Sequence, residues 1–69
     1  MIMYSVTFRT KRGGSAVYTY RLFNELEKKV ISLFKQKIAA NIFKDGEKIG
    51  QVFEDNSCRT GWNYSIETD

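Results

Sequence analysis

Histidine and proline are absent from this chain, and cysteine occurs once, at Cys58. Without histidine the chain lacks the side chain most used as a general base near neutral pH and as a metal ligand. A lone thiol with no base beside it makes a poor nucleophile, and a structural zinc needs four nitrogen or sulfur ligands. Catalysis, bound metal and cofactor are therefore not expected, and the chain reads as a non-enzyme. A single cysteine also rules out an internal disulfide, the usual staple of small secreted domains, which points to a reducing, cytoplasmic setting. No stretch approaches the roughly 18 consecutive apolar residues of a membrane span, and Met1-Ile2-Met3-Tyr4-Ser5 lacks a basic leader. No membrane association is expected.

With 69 residues the chain, 1–69, makes one domain. Near this size a domain buries only about 60% of the surface its unfolded form exposes, so a sizeable core and a deep pocket cannot coexist. At 42% hydrophobic and 28% charged residues the composition is that of a folded domain rather than a disordered tail. There are no repeats, linkers or low-complexity segments.

What is present reads as hairpin, helix, hairpin. From Ile2 to Phe8 apolar residues alternate (Ile2, Tyr4, Val6, Phe8), the period of a strand with one buried face. Gly13-Gly14 marks a turn, and Ala16–Tyr20, rich in aromatic and branched residues, returns antiparallel. Leu22, Leu26, Val30 and Leu33 then recur at helical spacing, with Phe23 and Phe34 at the edge of the stripe. Asn24 and Glu27 have capping-box spacing, which predicts a helix over about Asn24 to Gln36. Asp45-Gly46 predicts a two-residue type I′ turn, with Lys44 facing Glu47, Ile42 facing Ile49 and Ile38 facing Phe53. In that register Ile38, Ala40, Ile42, Ile49 and Phe53 meet the helix while Ala39, Phe43 and Val52 look outward. Asn56–Gly61 reads as a loop, and Trp62, Tyr64 and Ile66 alternate in a last strand. The predicted fold is α+β in ββαβββ order, one amphipathic helix packed on a four- or five-stranded antiparallel sheet.

The net charge is +3, unevenly placed along the chain. Up to Ala40, Arg9, Lys11, Arg12, Arg21, Lys28, Lys29, Lys35 and Lys37 are opposed by Glu25 and Glu27 alone. From Asn41 onward acids outnumber bases. Such asymmetry suits an oriented, electrostatically steered partner, although a mixed surface of this kind also simply keeps a protein soluble. Lys28 and Lys35 lie opposite the apolar stripe of the helix, so its exposed side is basic.

Candidate binding residues are Arg9, Lys11, Arg12, Tyr18, Tyr20, Lys28, Lys35, Glu54, Asp55, Arg59 and Trp62. Trp and Arg are enriched at interface hot spots, though a lone tryptophan more often packs beneath a sheet. The tyrosines depend on register. A two-residue Gly13-Gly14 loop puts Tyr18 and Tyr20 on the outer face with Thr7, Arg9 and Lys11, an aromatic and basic platform fit to stack bases and hold phosphates. A three-residue loop setting Phe8 opposite Tyr18 sends both into the core instead. Lys11-Arg12-Gly13-Gly14 invites a phosphate-loop reading, but the trailing Gly-Lys-Ser/Thr is missing and a turn explains both glycines. Arg59 beside Cys58 is placed to lower the thiol pKa.

These features favour a non-catalytic protein that engages a protein or nucleoprotein partner through a charged, aromatic surface, as accessory factor or inhibitor. A viral or mobile-element inhibitor of a host nucleic-acid enzyme fits that description. The alternative is direct nucleic-acid binding by the basic first hairpin and helix face. A third reading is a homodimer built on an edge strand or on the Phe43 and Val52 face.

Overall fold

The computed structural model describes residues 2–67. Its elements are β1 (Tyr4–Arg9), β2 (Ser15–Tyr20), α1 (Phe23–Lys35), β3 (Ala40–Lys44), β4 (Glu47–Glu54) and β5 (Trp62–Ile66). The strands make one antiparallel sheet in the order β2-β1-β3-β4-β5, with α1 packed on one face. This is the expected α+β architecture in ββαβββ order. Both β2 and β3 run antiparallel to β1 and so parallel to each other. A parallel pair needs a long crossover, which α1 supplies.

The core lies between Leu26, Val30 and Leu33 of α1 and Val6, Ala40, Ile42 and Val52 of the sheet, all essentially removed from water. Edge-to-face aromatic pairs close it at both ends of the helix. Tyr4 meets Phe23 with ring centroids 5.7 Å apart, and Phe34 meets Tyr64 at 5.2 Å.

The helix begins differently from the capping-box reading. Leu22 is the extended N-cap residue and no side chain caps the first turn. Asn24 already lies inside the helix, because Phe23 must enter the first turn to reach Tyr4. At the other end the Lys37 amide donates to the Phe34 carbonyl (3.1 Å) and the Ile38 amide to the Leu33 carbonyl (3.0 Å), a complete Schellman closure. The residue at its left-handed position, usually glycine, is Lys37 with φ 59°.

The first hairpin takes the three-residue loop and inward tyrosines of the second reading, with the pairing displaced by two residues. The Gly13 amide donates to the Thr10 carbonyl (3.0 Å) and the Thr10 amide to the Gly14 carbonyl (2.9 Å), so Lys11-Arg12-Gly13 is a three-residue loop with Gly13 at φ 87°. One left-handed residue suffices for this turn, and Gly14 joins the ladder. Val6 then faces Tyr18 and Tyr4 faces Tyr20. Both tyrosines lie on the helix side, and the outer platform with Thr7, Arg9 and Lys11 does not exist.

Asp45 and Gly46, at φ 50° and 85°, form the type I′ turn, and Lys44 faces Glu47 as expected. Beyond that the register departs from the reading. Phe43 faces Lys48 but Ile42 faces Gly50, so Ile49 is an unpaired bulge residue. One inserted residue moves every later side chain to the other face. Val52 therefore enters the core, 2% exposed, and Phe53 points outward, the reverse of the ungapped register. The bulge coincides with a close approach of strands: a Cβ on Gly50 would run into the Ser65 carbonyl oxygen and sit 3.0 Å from Ile66 Cα.

Two substitutions test this packing. Leu33→Ala is expected to cost about 2–5 kcal/mol by cavity formation, against a total near 3–10 kcal/mol for a chain of this length. Gly50→Ala, which would need β4 and β5 to separate, is expected to lower the melting temperature measurably by calorimetry, whereas a near-native melt would show that the two backbones are not in contact.

Candidate functional site

The strand pairings divide the sheet into two unlike faces. Toward the helix point Tyr4, Val6 and Phe8 with their partners Tyr20, Tyr18 and Ala16, followed by Ile42, Val52 and Tyr64. Away from it point Ser5, Thr7, Arg9, Val17, Thr19, Asn41, Phe43, Gln51, Phe53, Asn63 and Ser65, together with Lys48. No strand carboxylate lies on this outer face. Val17, on the edge strand β2, is 63% exposed there.

The two ends of the molecule differ in charge. Helix α1 returns antiparallel to β2, so its C-terminus arrives beside the first hairpin. Arg9 and Lys11 thereby share a groove of about 490 Å³ with Lys37, floored by Phe8 and Ile38. Arg12 at the hairpin tip and Lys35 in the last helical turn are exposed at the same end. Across the sheet at this end stand Glu54 and the β4–β5 loop with Asp55 and Arg59. The opposite end gathers Glu25 and Glu27 of the first helical turns, Asp45 and Glu47 of the second hairpin, and Glu67, against Arg21, Lys44 and Lys48. The charge difference read along the chain is thus an end-to-end difference in space, with Glu54 and Asp55 as acids at the basic end.

A second groove of about 570 Å³ opens on the outer face at the basic end. Thr7, Arg9, Asn41, Gln51, Phe53, Glu54 and Trp62 line it. Trp62, which pairs with Glu54 and shares the helix-side face of β5 with Tyr64, is half-buried against the core and borders this groove at the sheet's end. Arg59 is exposed in the loop. Lys28 lies on the solvent face of the helix, two turns from its basic end.

The other predicted residues are tied up within the fold. Tyr18 stacks on Phe8 at 5.7 Å, and Lys29 sets its ammonium 4.4 Å from the Tyr18 ring centroid, a cation–π arrangement. Burial, then Tyr18 and Glu25, raise the pKa of the Tyr20 phenol. Asp55 organises its own loop. It accepts hydrogen bonds from the Ser57 hydroxyl (2.6 Å) and amide (3.0 Å) and from the Asn63 side chain (3.4 Å). Those bonds, the Ser57 hydroxyl foremost, hold its carboxyl below the ordinary value of 3.8. Cys58 Sγ lies 3.5 Å from Asp55 Oδ2. Loss of solvent and that contact raise the thiol pKa, the reverse of the lowering expected from Arg59. A thiol held protonated is a weak nucleophile.

Sequence reasoning missed Lys37, Asn41, Gln51 and Phe53. The first is joined to Arg9 only by the return of the helix. The other three are gathered by the bulge and by the pairing of distant strands.

Compared with family models, with curated proteins and with solved structures, the chain has no match in any of the three. Among the described residues no helix is long and apolar enough to cross a membrane.

The loop chemistry is testable by pH. Because folding depresses the Asp55 pKa, its contribution is present above the unfolded value and lost as pH falls through the depressed one. The Ser57 and Cys58 amide resonances are therefore expected to shift below about pH 4, and Asp55→Asn to abolish that transition. The same variant should speed alkylation of Cys58 by iodoacetamide at pH 7.5. An unchanged rate would mean that Asp55 does not control the thiol.

Proposed function

We propose that this is a non-catalytic binding protein that docks, basic end first, on a protein or nucleoprotein partner and acts there as an accessory factor or inhibitor. One observation carries the reading: two elements distant in sequence, the first hairpin and the end of the helix, converge to present Arg9, Lys11, Arg12, Lys35 and Lys37 together. Charge gathered at one end while acids gather at the other orients a molecule during encounter and accelerates productive association. It supplies no reaction. Burial and the Asp55 contact raise the thiol's pKa, no imidazole exists in the chain, and the grooves are open and shallow.

A nucleoprotein partner suits this surface better than a purely protein one, because the outer face beside the basic end has no strand carboxylate to repel phosphate. The domain is small and compact, which fits an agent that works by occupying a surface.

Charge reversal tests the proposal. Lys11→Glu with Arg12→Glu alters two exposed loop residues and leaves the core untouched. Affinity capture from lysate of the source cells, with identification of the captured species, should lose its specific partner with this variant. The association rate with the purified partner should fall by about tenfold or more at low salt, while Glu54→Gln should leave capture intact. Unchanged capture by the doubly reversed protein would sink the basic-end mode, and turnover of a substrate by the purified domain would sink the non-catalytic assignment.

A further inference from the structure

Arg9 lies on the ridge between two grooves of different chemistry. On one side Arg9, Lys11 and Lys37 surround a cationic groove. On the other Arg9 joins Asn41, Gln51 and Phe53 in a groove on the open sheet face, with Glu54 and Trp62 at the end of the sheet. Phe8 and Ala39 line both, so the grooves meet edge to edge at the end of β1 and the start of β3. One offers positive charge. The other offers aromatic surface and two neutral side-chain amides, which both donate and accept hydrogen bonds. The Gln51 Oε1 accepts one from the Lys48 ammonium (3.1 Å), which leaves its NH2 to donate.

We infer that this pair of grooves binds single-stranded nucleic acid, with phosphates along Arg9, Lys11 and Lys37 and a base in the neighbouring groove against Phe53, bonded through Asn41 and Gln51. The inference rests on the nucleoprotein reading above and names the component that the surface contacts. A ligand that is anionic along one line and flat, apolar-faced and polar-edged beside it matches both grooves, and unpaired nucleotides have that pattern. A duplex keeps its bases stacked inside and offers phosphate to the cationic groove alone. Charge complementarity extends across the face, since its strands contribute Arg9 and Lys48 and no acid. Glu54, at the end of β4 on the helix-side parity, lines the same groove and is the one opposing charge.

The conformation of Lys37 bears on the same point. A left-handed backbone at a helix end is ordinarily taken by glycine, and a side chain there carries conformational strain. Lysine at this position lines the groove with a cationic side chain at that cost. Lys37→Gly therefore separates binding from folding, because it relieves strain while removing the charge.

The test is fluorescence anisotropy with 5′-fluorescein-labelled dT12 and U12 and a 12-base-pair duplex, with Trp62, the single tryptophan, as intrinsic reporter. Binding to the single strands should weaken by roughly 20-fold between 50 and 200 mM salt if about three phosphates are contacted. Bound oligonucleotide should quench Trp62. Lys37→Gly should melt higher yet bind several-fold more weakly, Phe53→Leu should bind about tenfold more weakly, and Glu54→Gln should bind more tightly. Absence of binding at 50 mM salt, preference for the duplex, or indifference to Phe53→Leu in a protein shown folded by circular dichroism would overturn the inference. So would sedimentation showing that the open face pairs with a second copy and is closed to oligonucleotide. Capture of a nucleoprotein partner that persists in Phe53→Leu while oligonucleotide binding is absent would leave the proposed function standing and remove this site alone.

Discussion

One thirteen-residue helix must cover a five-stranded sheet, and the contact of Leu26, Val30 and Leu33 with Val6, Ile42 and Val52 is what everything else depends on. A helix is about 10 Å across, whereas four strand spacings span about 19 Å. The helix seals the middle strands and leaves the margins of its own side partly open. Tyr18 on β2 accordingly remains 45% exposed although it points toward the helix, and Phe8 and Lys29 shield what the helix does not reach. Among the described residues no element covers the far face of the sheet.

That limited cover explains why the β4 bulge matters. Without it Phe53 would lie beneath the helix and Val52 outside. With it the compact branched side chain fills the core and the ring is exported to the open face. Gly50, pressed against the backbone of β5, permits the local distortion. A single backbone irregularity thus settles both the shape of the core and the presence of an aromatic ring in the outer groove.

Charge is organised by the same geometry. A helix that crosses between two parallel strands must return its C-terminus to the end where β1 finishes, so the cations of the helix end join those of the first hairpin. The acids of the helix start are carried to the other end with Asp45, Glu47 and Glu67. The β4–β5 loop is largely self-contained, because the Asp55 carboxylate is bonded by Ser57 and Asn63, and burial together with that carboxylate raises the pKa of the neighbouring thiol. The domain's surface is strongly differentiated.

The sequence by itself determined the class of fold, the element order, the helix stripe, the type I′ turn at Asp45-Gly46 and the alternation of β5. These rest on local rules: 3.6-residue and 2-residue periods, and the tolerance of Asp-Gly for positive φ. Of the predicted site, it could identify Arg9, Lys11, Arg12 and Lys35 as surface cations from their residue type and position. What only the tertiary structure decided was parity and proximity. Which glycine took the left-handed position in the first hairpin, and where β4 bulged, each moved a whole set of side chains between faces, because a strand repeats every two residues and a one-residue slip inverts it. The joining of Lys37 to Arg9, and of Asn41 to Gln51 and Phe53, came from pairing between segments far apart in the chain, which no local pattern encodes.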